Sequence, residues 1–550
     1  NMASVLVHEE LQKASLLKPH RPGFFAAFVS HQWLGERHPD QTGAQLKVLQ
    51  AALQGAIDGS VKVESDTGTE FMRGHRMLTS RERTLLRDGY IWMDWFCIPQ
   101  DPACQDQLHL AVESIPSYVD SCDVFLALVP PVRHESGQMC DYESWLQRGW
   151  CRAELWCKQL STNANSGVIV VQGADDATFL MPQTWIHRPP HKGDFTVESD
   201  RHRVMQMLRA ALDVHTSNLR KRKKHDLFKF FTAKYTDLLG LADVEQSPEE
   251  FITSFGFGSM EKASRVQGMG AVACAAGAGD RKLVRLLLEA KAPLATRGPN
   301  MVEVDQLPGQ TPLHLAVARG IGSAGVMKEL LEARADPNCS CNLGIPLLAH
   351  CKDPETVDLL VSYRADVNLR TGLVYNTPLA LCCAKVGPAE VVAKMLEVRA
   401  DPNLCVGGVS NSPLVALAFF TTGQAQYALQ VADLLLGARA DVNLAQRPSG
   451  VWRVAELFCR ASQYCGKDSA LMRYFAESST TALGIAAFYG NDPMVTVLLA
   501  ARADANYRNR RGHTPLMLAT KGHTIQLLLQ EQSFWKSEQA ADDEILHESF

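Results

Sequence analysis

A five-residue phrase, Arg-Ala-Asp-x-Asn, occurs five times in the second half of this 550-residue chain. It begins at Arg334, Arg364, Arg399, Arg439 and Arg502, so successive copies lie 30, 35, 40 and 63 residues apart, and the last step is about two periods. A leucine-rich run precedes each copy. Because a recurring period of this size means that one structural unit is repeated, the spacing predicts a stack of similar units rather than one compact core.

A second phrase opens the units and has the residue types of a helix start. It is Thr-Pro-Leu-His-Leu-Ala at Thr311, and shorter variants of it begin at Thr377, Ser412, Thr481 and Thr514. Threonine or serine is a good cap, and proline in the first turn loses no needed N–H. Glycine then ends a short first helix, and the leucine-rich run forms a second. The pattern predicts seven helix–turn–helix units, which start near Gly268, Gln310, Leu343, Asn376, Asn411, Ser479 and Gly512.

These two phrases together resemble the ankyrin repeat, whose period is about 33 residues. The resemblance implies an all-α solenoid over residues 265–531 that binds a protein partner along its groove. The stretch 444–478 interrupts the period and is either a degenerate eighth unit or an inserted loop. In a loop, the aromatic residues Trp452, Phe458 and Tyr464 would be candidate partner contacts, because aromatic anchors dominate interface energetics. Residues 532–550 form a polar tail.

The N-terminal half alternates apolar strand-like segments with helical segments. The strand-like segments are Phe24–Ser30, Tyr90–Ile98, Asp123–Val129 and Val168–Val171, and the helical ones are Gln41–Ile57, Leu108–Cys122 and Gly149–Leu160. This alternation predicts a parallel sheet covered on both faces, which is a flavodoxin-like α/β domain over residues 22–215. Ligands of such sheets bind beyond the carboxyl ends of the strands, where polar and aromatic side chains follow in this sequence.

Three of these segments resemble a TIR domain: Phe28-Val-Ser-His31, the strand Asp123–Leu128 and Trp150-Cys-x-x-Glu154-Leu155. The stretch Ile91–Gln100 is also similar to a signature of fungal heterokaryon-incompatibility domains, which are considered distant relatives of TIR domains. The resemblance covers roughly residues 23–173. It implies either assembly into homo-oligomers for signalling or cleavage of NAD⁺ at the nicotinamide–ribose bond.

On that resemblance Glu154 is the catalytic residue, and the NAD⁺ pocket is formed by Ser30, His31, Trp33, Trp95 and Trp150. Loss of nicotinamide leaves positive charge on the ribose, which a nearby carboxylate stabilises. NAD⁺ would be a substrate, and no cofactor and no metal is required.

Two simpler interpretations of the N-terminal half remain open. In the first, Glu154 only forms an ion pair with Lys158, one turn later on an exposed helix. In the second, the α/β domain is a remnant without function, and only the repeats function.

Charge and composition limit the other classes of function. The net charge of −5 argues against nucleic-acid binding, and no apolar stretch is long enough to span a bilayer. The 15 cysteines lack paired zinc spacing. We expect a cytoplasmic protein. Within a basic, helical connector over residues 216–264, the run Arg220–Lys224 is either a nuclear-import signal or a solvated helix face.

Overall fold

The computed structural model describes residues 5–162, 167–180, 185–242, 245–263, 266, 268–370, 377–384, 388–405, 411–420, 425–466 and 468–531. The chain divides into two compact units. The first contains Asn1–Ala242, Val302–Asp305 and Ser469–Leu471, and the second contains Asp243–Met301, Gln306–Asp468 and Met472–Phe550. The segment 216–264, interpreted above as a connector, is therefore divided between the two units.

The first unit is built on a six-stranded mixed sheet. Its strands are β1 (Ala26–His31), β2 (Glu64–Ser65), β3 (Tyr90–Trp92), β4 (Val124–Leu128), β7 (Val168–Val171) and β8 (Ala177–Leu180), in the spatial order β2-β8-β7-β4-β1-β3. A separate hairpin pairs β5 (Val132–Arg133) with β6 (Met139–Cys140). The strands β3, β1, β4 and β7 run parallel, as the alternating pattern predicts.

The sheet is not parallel throughout, which corrects the sequence-based expectation. Strand β8 runs antiparallel to β7, and the short β2 lies parallel to β8 at the edge. Only a tight turn separates β7 from β8, where Gln172 N–H donates to the Asp176 carbonyl. A turn of this length can join only antiparallel strands, because a parallel pair needs a crossover of a dozen or more residues.

The helices of the first unit cover the sheet, and two of its predicted elements are divided. The helices are α1 (His8–Lys13), α2 (Ala44–Asp58), α3 (Thr67–Arg73), α4 (Ser80–Asp88), α5 (Asp94–Cys97), α6 (Gln105–Glu113), α7 (Ile115–Ser121), α8 (Tyr142–Gln147), α9 (Gly149–Leu160), α10 (Ser199–Lys221) and α11 (His225–Leu239). The predicted strand Tyr90–Ile98 stops at Trp92 and turns into α5. The predicted helix Leu108–Cys122 breaks at Ser114, because Pro116 has no N–H to continue it.

Helical pairs dominate the rest of the chain. They are formed from α12 (Pro248–Phe255), α13 (Met260–Ala263), α14 (Ala271–Ala278), α15 (Arg281–Glu289), α16 (Pro312–Val317), α17 (Ala324–Glu332), α18 (Pro354–Ser362), α19 (Pro378–Ala384), α20 (Ala389–Glu397), α21 (Pro413–Phe420), α22 (Ala425–Gly437), α23 (Val451–Tyr464), α24 (Ala470–Glu477), α25 (Ala482–Tyr489), α26 (Asp492–Ala500) and α27 (Pro515–Leu518), with a last helical segment at 522–531. In the third pair a 3₁₀ turn, Leu347–His350, replaces the first helix.

The pairs stack in register. The first helices of the pairs form an inner row in which α14 packs on α16, α19 on α21 and α25 on α27. The second helices form an outer row in which α15 packs on α17 and α20 on α22. Within the described residues this gives seven stacked pairs. The leucines that each pair cannot bury alone are covered by its neighbours.

A ladder of asparagine side chains joins the turns between the pairs. Asn368 donates to the Arg399 carbonyl at 3.2 Å and accepts from Asp401 N–H at 2.8 Å. Asn338 and Asn403 make the same two bonds to the turns that follow them. The repeated Arg-Ala-Asp-x-Asn phrase therefore holds one unit to the next as well as forming a turn.

The interrupting stretch 444–478 is helical, but it is not a stacked repeat. Asn443 accepts a hydrogen bond from Asp504 N–H at 2.8 Å. The ladder therefore joins the turn before the insertion directly to the turn after α26 and leaves out α23 and α24. The packing of the neighbouring helices shows the same arrangement, because α21 packs on α25 and α22 packs on α26. The two alternatives of a loop and an eighth repeat are thus replaced by a helical insertion beside the stack.

Candidate functional site

Two adjacent polar residues at the carboxyl end of β1 organise the candidate site of the first unit. Ser30 and His31 are both buried, and their strand lies between β4 and the edge strand β3. Because successive side chains of a strand point to opposite faces, the two residues meet different helices. Polar side chains at this end of a parallel sheet are where a ligand is expected.

On one face Ser30 meets the predicted catalytic glutamate. Its hydroxyl lies 2.5 Å from Glu154 Oε2, and Trp145 Nε1 donates to the same hydroxyl at 3.0 Å. Helix α9 positions Glu154, while α8 positions Trp145. The sequence placed Ser30 and Glu154 at one rim, and the structure brings them into contact across 124 residues of chain.

On the other face His31 meets Asp94, a residue outside the predicted site. His31 Nε2 lies 2.9 Å from Asp94 Oδ1, and Nδ1 lies 2.9 Å from Gln45 Oε1. Trp33 Nε1 donates to the second oxygen of Asp94 at 2.9 Å. The available signal was the Trp-Met-Asp-Trp motif, which places Asp94 directly after a strand of the same sheet edge.

The two carboxyl groups of this cluster have opposite electrostatic environments. Burial raises the pKa of Glu154 to about 8; the nearby Asp94 carboxylate adds to the rise, and the Ser30 hydrogen bond and His31 oppose it. Burial also acts to raise the pKa of Asp94, but the His31 imidazole and the hydrogen bonds hold it below its ordinary value. Two neighbouring carboxyl groups whose pKa values are shifted in opposite directions are typical of acid–base sites.

The histidine between them has a raised pKa. Burial alone would lower the pKa of His31, but the charge and hydrogen bond of Asp94 raise it above the ordinary value. At neutral pH the cluster therefore combines an ionised Asp94 with a largely neutral Glu154. A cationic ligand beside Glu154 would favour its carboxylate form.

The three predicted tryptophans are not all brought together. Trp33 and Trp95 pack edge to face with ring centroids 5.5 Å apart, next to Asp94. Trp150 is placed elsewhere: its indole N–H donates to Asp200 at 3.2 Å. Its ring lines a cavity of about 100 Å³ between α6 and α10, together with Arg203.

Lys158 is not an exposed ion-pair partner of Glu154, as the simpler interpretation of that glutamate requires. Its side chain is fully buried. Burial lowers the pKa of Lys158 to about 8, opposed by Cys122 and by the charges of Asp120 and Asp123. Glu154 is engaged by Ser30 instead. Within the described part of the chain no three His, Cys, Asp or Glu side chains are grouped to hold a metal ion, and no helix is long and apolar enough to cross a bilayer.

The predicted partner contacts all lie on α23, in the insertion. Trp452 stacks on Phe475 with ring centroids 5.4 Å apart and is half-buried. Phe458 is exposed. Tyr464 ends the helix, and its side chain lies outside the described residues. Of the two rings that the structure describes, Phe458 is the exposed one.

Comparisons with known proteins identify the class of the stacked unit. A family model for three copies of the ankyrin repeat matches residues 456–538, and a single ankyrin repeat matches residues 308–342. The chain therefore contains ankyrin repeats, and ankyrin repeats imply interaction with another protein. The first match begins within α23, although the asparagine ladder excludes that helix from the stack.

Two solved structures similar to this chain are themselves ankyrin-repeat domains. The ankyrin repeat domain of Bcl-3, described as a unique member of the IkappaB protein family, is 22% identical, with 48% of this chain and 99% of that chain covered and a TM-score of 0.33. The ankyrin repeat domain of human ASB11 is 20% identical, with coverages of 47% and 96% and a TM-score of 0.34. No curated protein sequence matches the chain.

Proposed function

We propose that this protein is a scaffold that recruits a protein partner through its ankyrin stack. The observation that supports this most is the unbroken ladder from Asn338 to Asp504, which makes the stack a rigid, elongated surface even across an insertion. A preformed surface loses little conformational entropy on binding, and this favours affinity.

Photo-crosslinking from the two rows of helices tests this proposal. A crosslinking amino acid at Met517, which is exposed on the inner helix α27, should trap a defined partner in cells. The same residue at Leu429, exposed on the outer helix α22, is the matched control and should not trap that partner. Equal trapping from both positions, or none from Met517, would contradict recruitment through the inner row.

A second candidate function is cleavage of NAD⁺ in the first unit, which we propose on the strength of the Glu154 cluster. Glu154 is half-buried, is held by Ser30, and lies at the carboxyl edge of the parallel strands. The pyridinium of NAD⁺ is cationic, so its approach would lower the pKa of Glu154 and ionise the carboxylate. That carboxylate then stabilises the positive ribose as the bond to nicotinamide breaks, and a water molecule adds to the ribose and releases a proton.

Nicotinamide release from NAD⁺ tests the second candidate directly. The full chain should release nicotinamide, and Glu154→Gln should reduce the rate by about 10² or more, which is the size expected for a charge-stabilising group. Glu289→Gln, at an exposed position on α15, is the control and should keep the rate. Absence of release from the wild type would remove this candidate.

The resemblance to TIR domains also supports assembly without catalysis. In that case light scattering should show that the full chain self-associates as concentration rises, with Glu154→Gln behaving as the wild type. A chain that stays monomeric across that range would contradict assembly.

A further inference from the structure

Helix α23 exposes an apolar face that no other described residue covers. Val451, Val454, Leu457 and Phe458 are 60%, 66%, 49% and 62% exposed. At about 100° per residue these four side chains occupy an arc of about 120°, which is the width of the stripe that a helix normally buries against a neighbour. Exposed apolar groups of this kind mark interaction sites.

The opposite face of α23 is firmly anchored, so the helix holds its apolar face in a fixed direction. Glu456 is fully buried and forms ion pairs with Arg453 at 2.5 Å, with Arg460, and with Arg510 at 3.3 Å. Arg460 also donates to the Ala476 carbonyl at 3.1 Å. Removing one partner from a buried ion pair is strongly destabilising, so the network resists displacement of the helix.

The segment that contains α23 and the segment that contacts it through Arg510 are basic in sequence, although the whole chain is acidic. Residues 445–479 and 508–513 together contain eight Lys and Arg residues against three Asp and Glu residues, a formal charge of +5, whereas the chain carries −5. Arg447, Arg508 and Arg510 are exposed. An apolar stripe on a helix whose own and contacting segments carry a net positive charge is complementary to a partner that combines apolar and acidic residues.

We propose that this apolar face of α23 binds an acidic amphipathic helix of a partner protein. The inference rests on the proposed recruiting function and names the chemistry of the partner. From Val451 to Phe458 the face is about 10 Å long, at 1.5 Å rise per residue. That length suits one helix-on-helix contact through residues spaced i, i+3 and i+7, and it is small for insertion into a lipid surface. A second copy would bring like charges together.

Selection from a displayed library of random peptides, each about 16 residues or four helical turns long, tests the proposal on the full chain. The counter-selection target is the double variant Val454→Ser with Phe458→Ser, which removes apolar area and adds no charge. Leu429→Ser, at another exposed leucine, is the matched control. Unchanged circular dichroism and melting temperature of all three proteins ensure that only the surface has changed.

Peptides that distinguish wild type from the double variant should be rich in Asp and Glu, with apolar residues at helical spacing. Their affinity should fall at least tenfold on the double variant and stay unchanged on Leu429→Ser. Arg447→Glu, or an increase from about 50 to about 200 mM salt, should weaken binding several-fold, because exposed charges are screened.

Four outcomes would overturn the proposal. In the peptide selection, the two outcomes are peptides that are neutral or basic and peptides that bind the double variant as well as the wild type. The other two are binding of the wild type, but not of the double variant, to phosphatidylserine vesicles, and a dimer in sedimentation that the wild type forms and the double variant does not. Equal binding to wild type and double variant would leave recruitment by the stack standing. A gain of peptide affinity in a chain that ends at Glu531 is a fifth such outcome, because it would assign the face to residues 532–550.

Discussion

Replacement of Glu154 by glutamine should stabilise the first unit, and increasingly so as pH rises. Burial raises the pKa of Glu154 to about 8 from an ordinary 4.5. The folded state thus keeps the proton where the unfolded chain has released it. The wild type therefore loses stability as pH rises from about 4.5 to about 8, whereas Glu154→Gln has no proton to retain and lacks this loss.

The size of the effect follows from the rise in pKa. At about 1.4 kcal/mol per pH unit, full retention of the proton up to pH 8 corresponds to about 5 kcal/mol. Glu154 is half-buried, and neighbouring groups relax around its charge, so we expect about 2–3 kcal/mol. For a unit of this size that is a difference in melting temperature of roughly 5–10 °C at pH 8, and almost none at pH 4.5.

Tryptophan fluorescence is the appropriate assay, because seven of the nine tryptophans lie between residues 33 and 185. Melting curves of wild type and Glu154→Gln between about pH 5 and pH 9 give the difference directly. The His31–Asp94 pair also titrates, but it is present in both proteins and largely cancels. A difference that is the same at every pH would refute the reasoning and mean that the Glu154 carboxyl is hydrated.

Three further perturbations concern the ankyrin half. Asn403→Ala removes the bonds to Arg439 and Asp441 and should cost about 1–2 kcal/mol of unfolding free energy in urea, since each such bond contributes about 1 kcal/mol; a loss below about 0.3 kcal/mol would contradict a structural ladder. Glu456→Ala leaves its arginines without their buried carboxylate and should cost about 3–5 kcal/mol in the same assay, whereas a loss under about 1 kcal/mol would mean that the network is hydrated. Arg399→Gly should stabilise the stack by about 0.5–1 kcal/mol, because the backbone there has φ +68°, which glycine adopts without strain; no gain in denaturation midpoint would count against that geometry.

The ankyrin half was predictable to the level of single units. Capping residues, prolines in the first turn and leucine runs act within one helix pair, so their spacing locates each pair without knowledge of its neighbours. The third pair departs from this pattern, because a 3₁₀ turn takes the place of its first helix. What the spacing could not show is that α23 and α24 lie beside the stack, since a helix in an insertion has the same local pattern as one in a repeat.

In the N-terminal half, the sequence pattern predicts the central strands of the sheet better than its edge strands. Buried strands such as β4 and β7 are apolar throughout and stand out in the sequence. The edge strand β2 has only two residues and no such signal. The candidate site was likewise found in part, because Ser30 and Glu154 belong to motifs with a family resemblance, whereas Asp94 emerged as a partner of His31 only through the fold.

By itself the sequence determined the units: a run of helical pairs that must stack to bury their leucines, and an alternation of strands and helices that must form a layered sheet. Those preferences depend on neighbouring residues and on period. Only the tertiary structure decided which distant groups meet, including Ser30 with Glu154, Asn443 with Asp504, and the three arginines around Glu456. Such pairings depend on how the elements pack in space, and for that reason the pKa of Glu154 and the exposed face of α23 are properties of the fold.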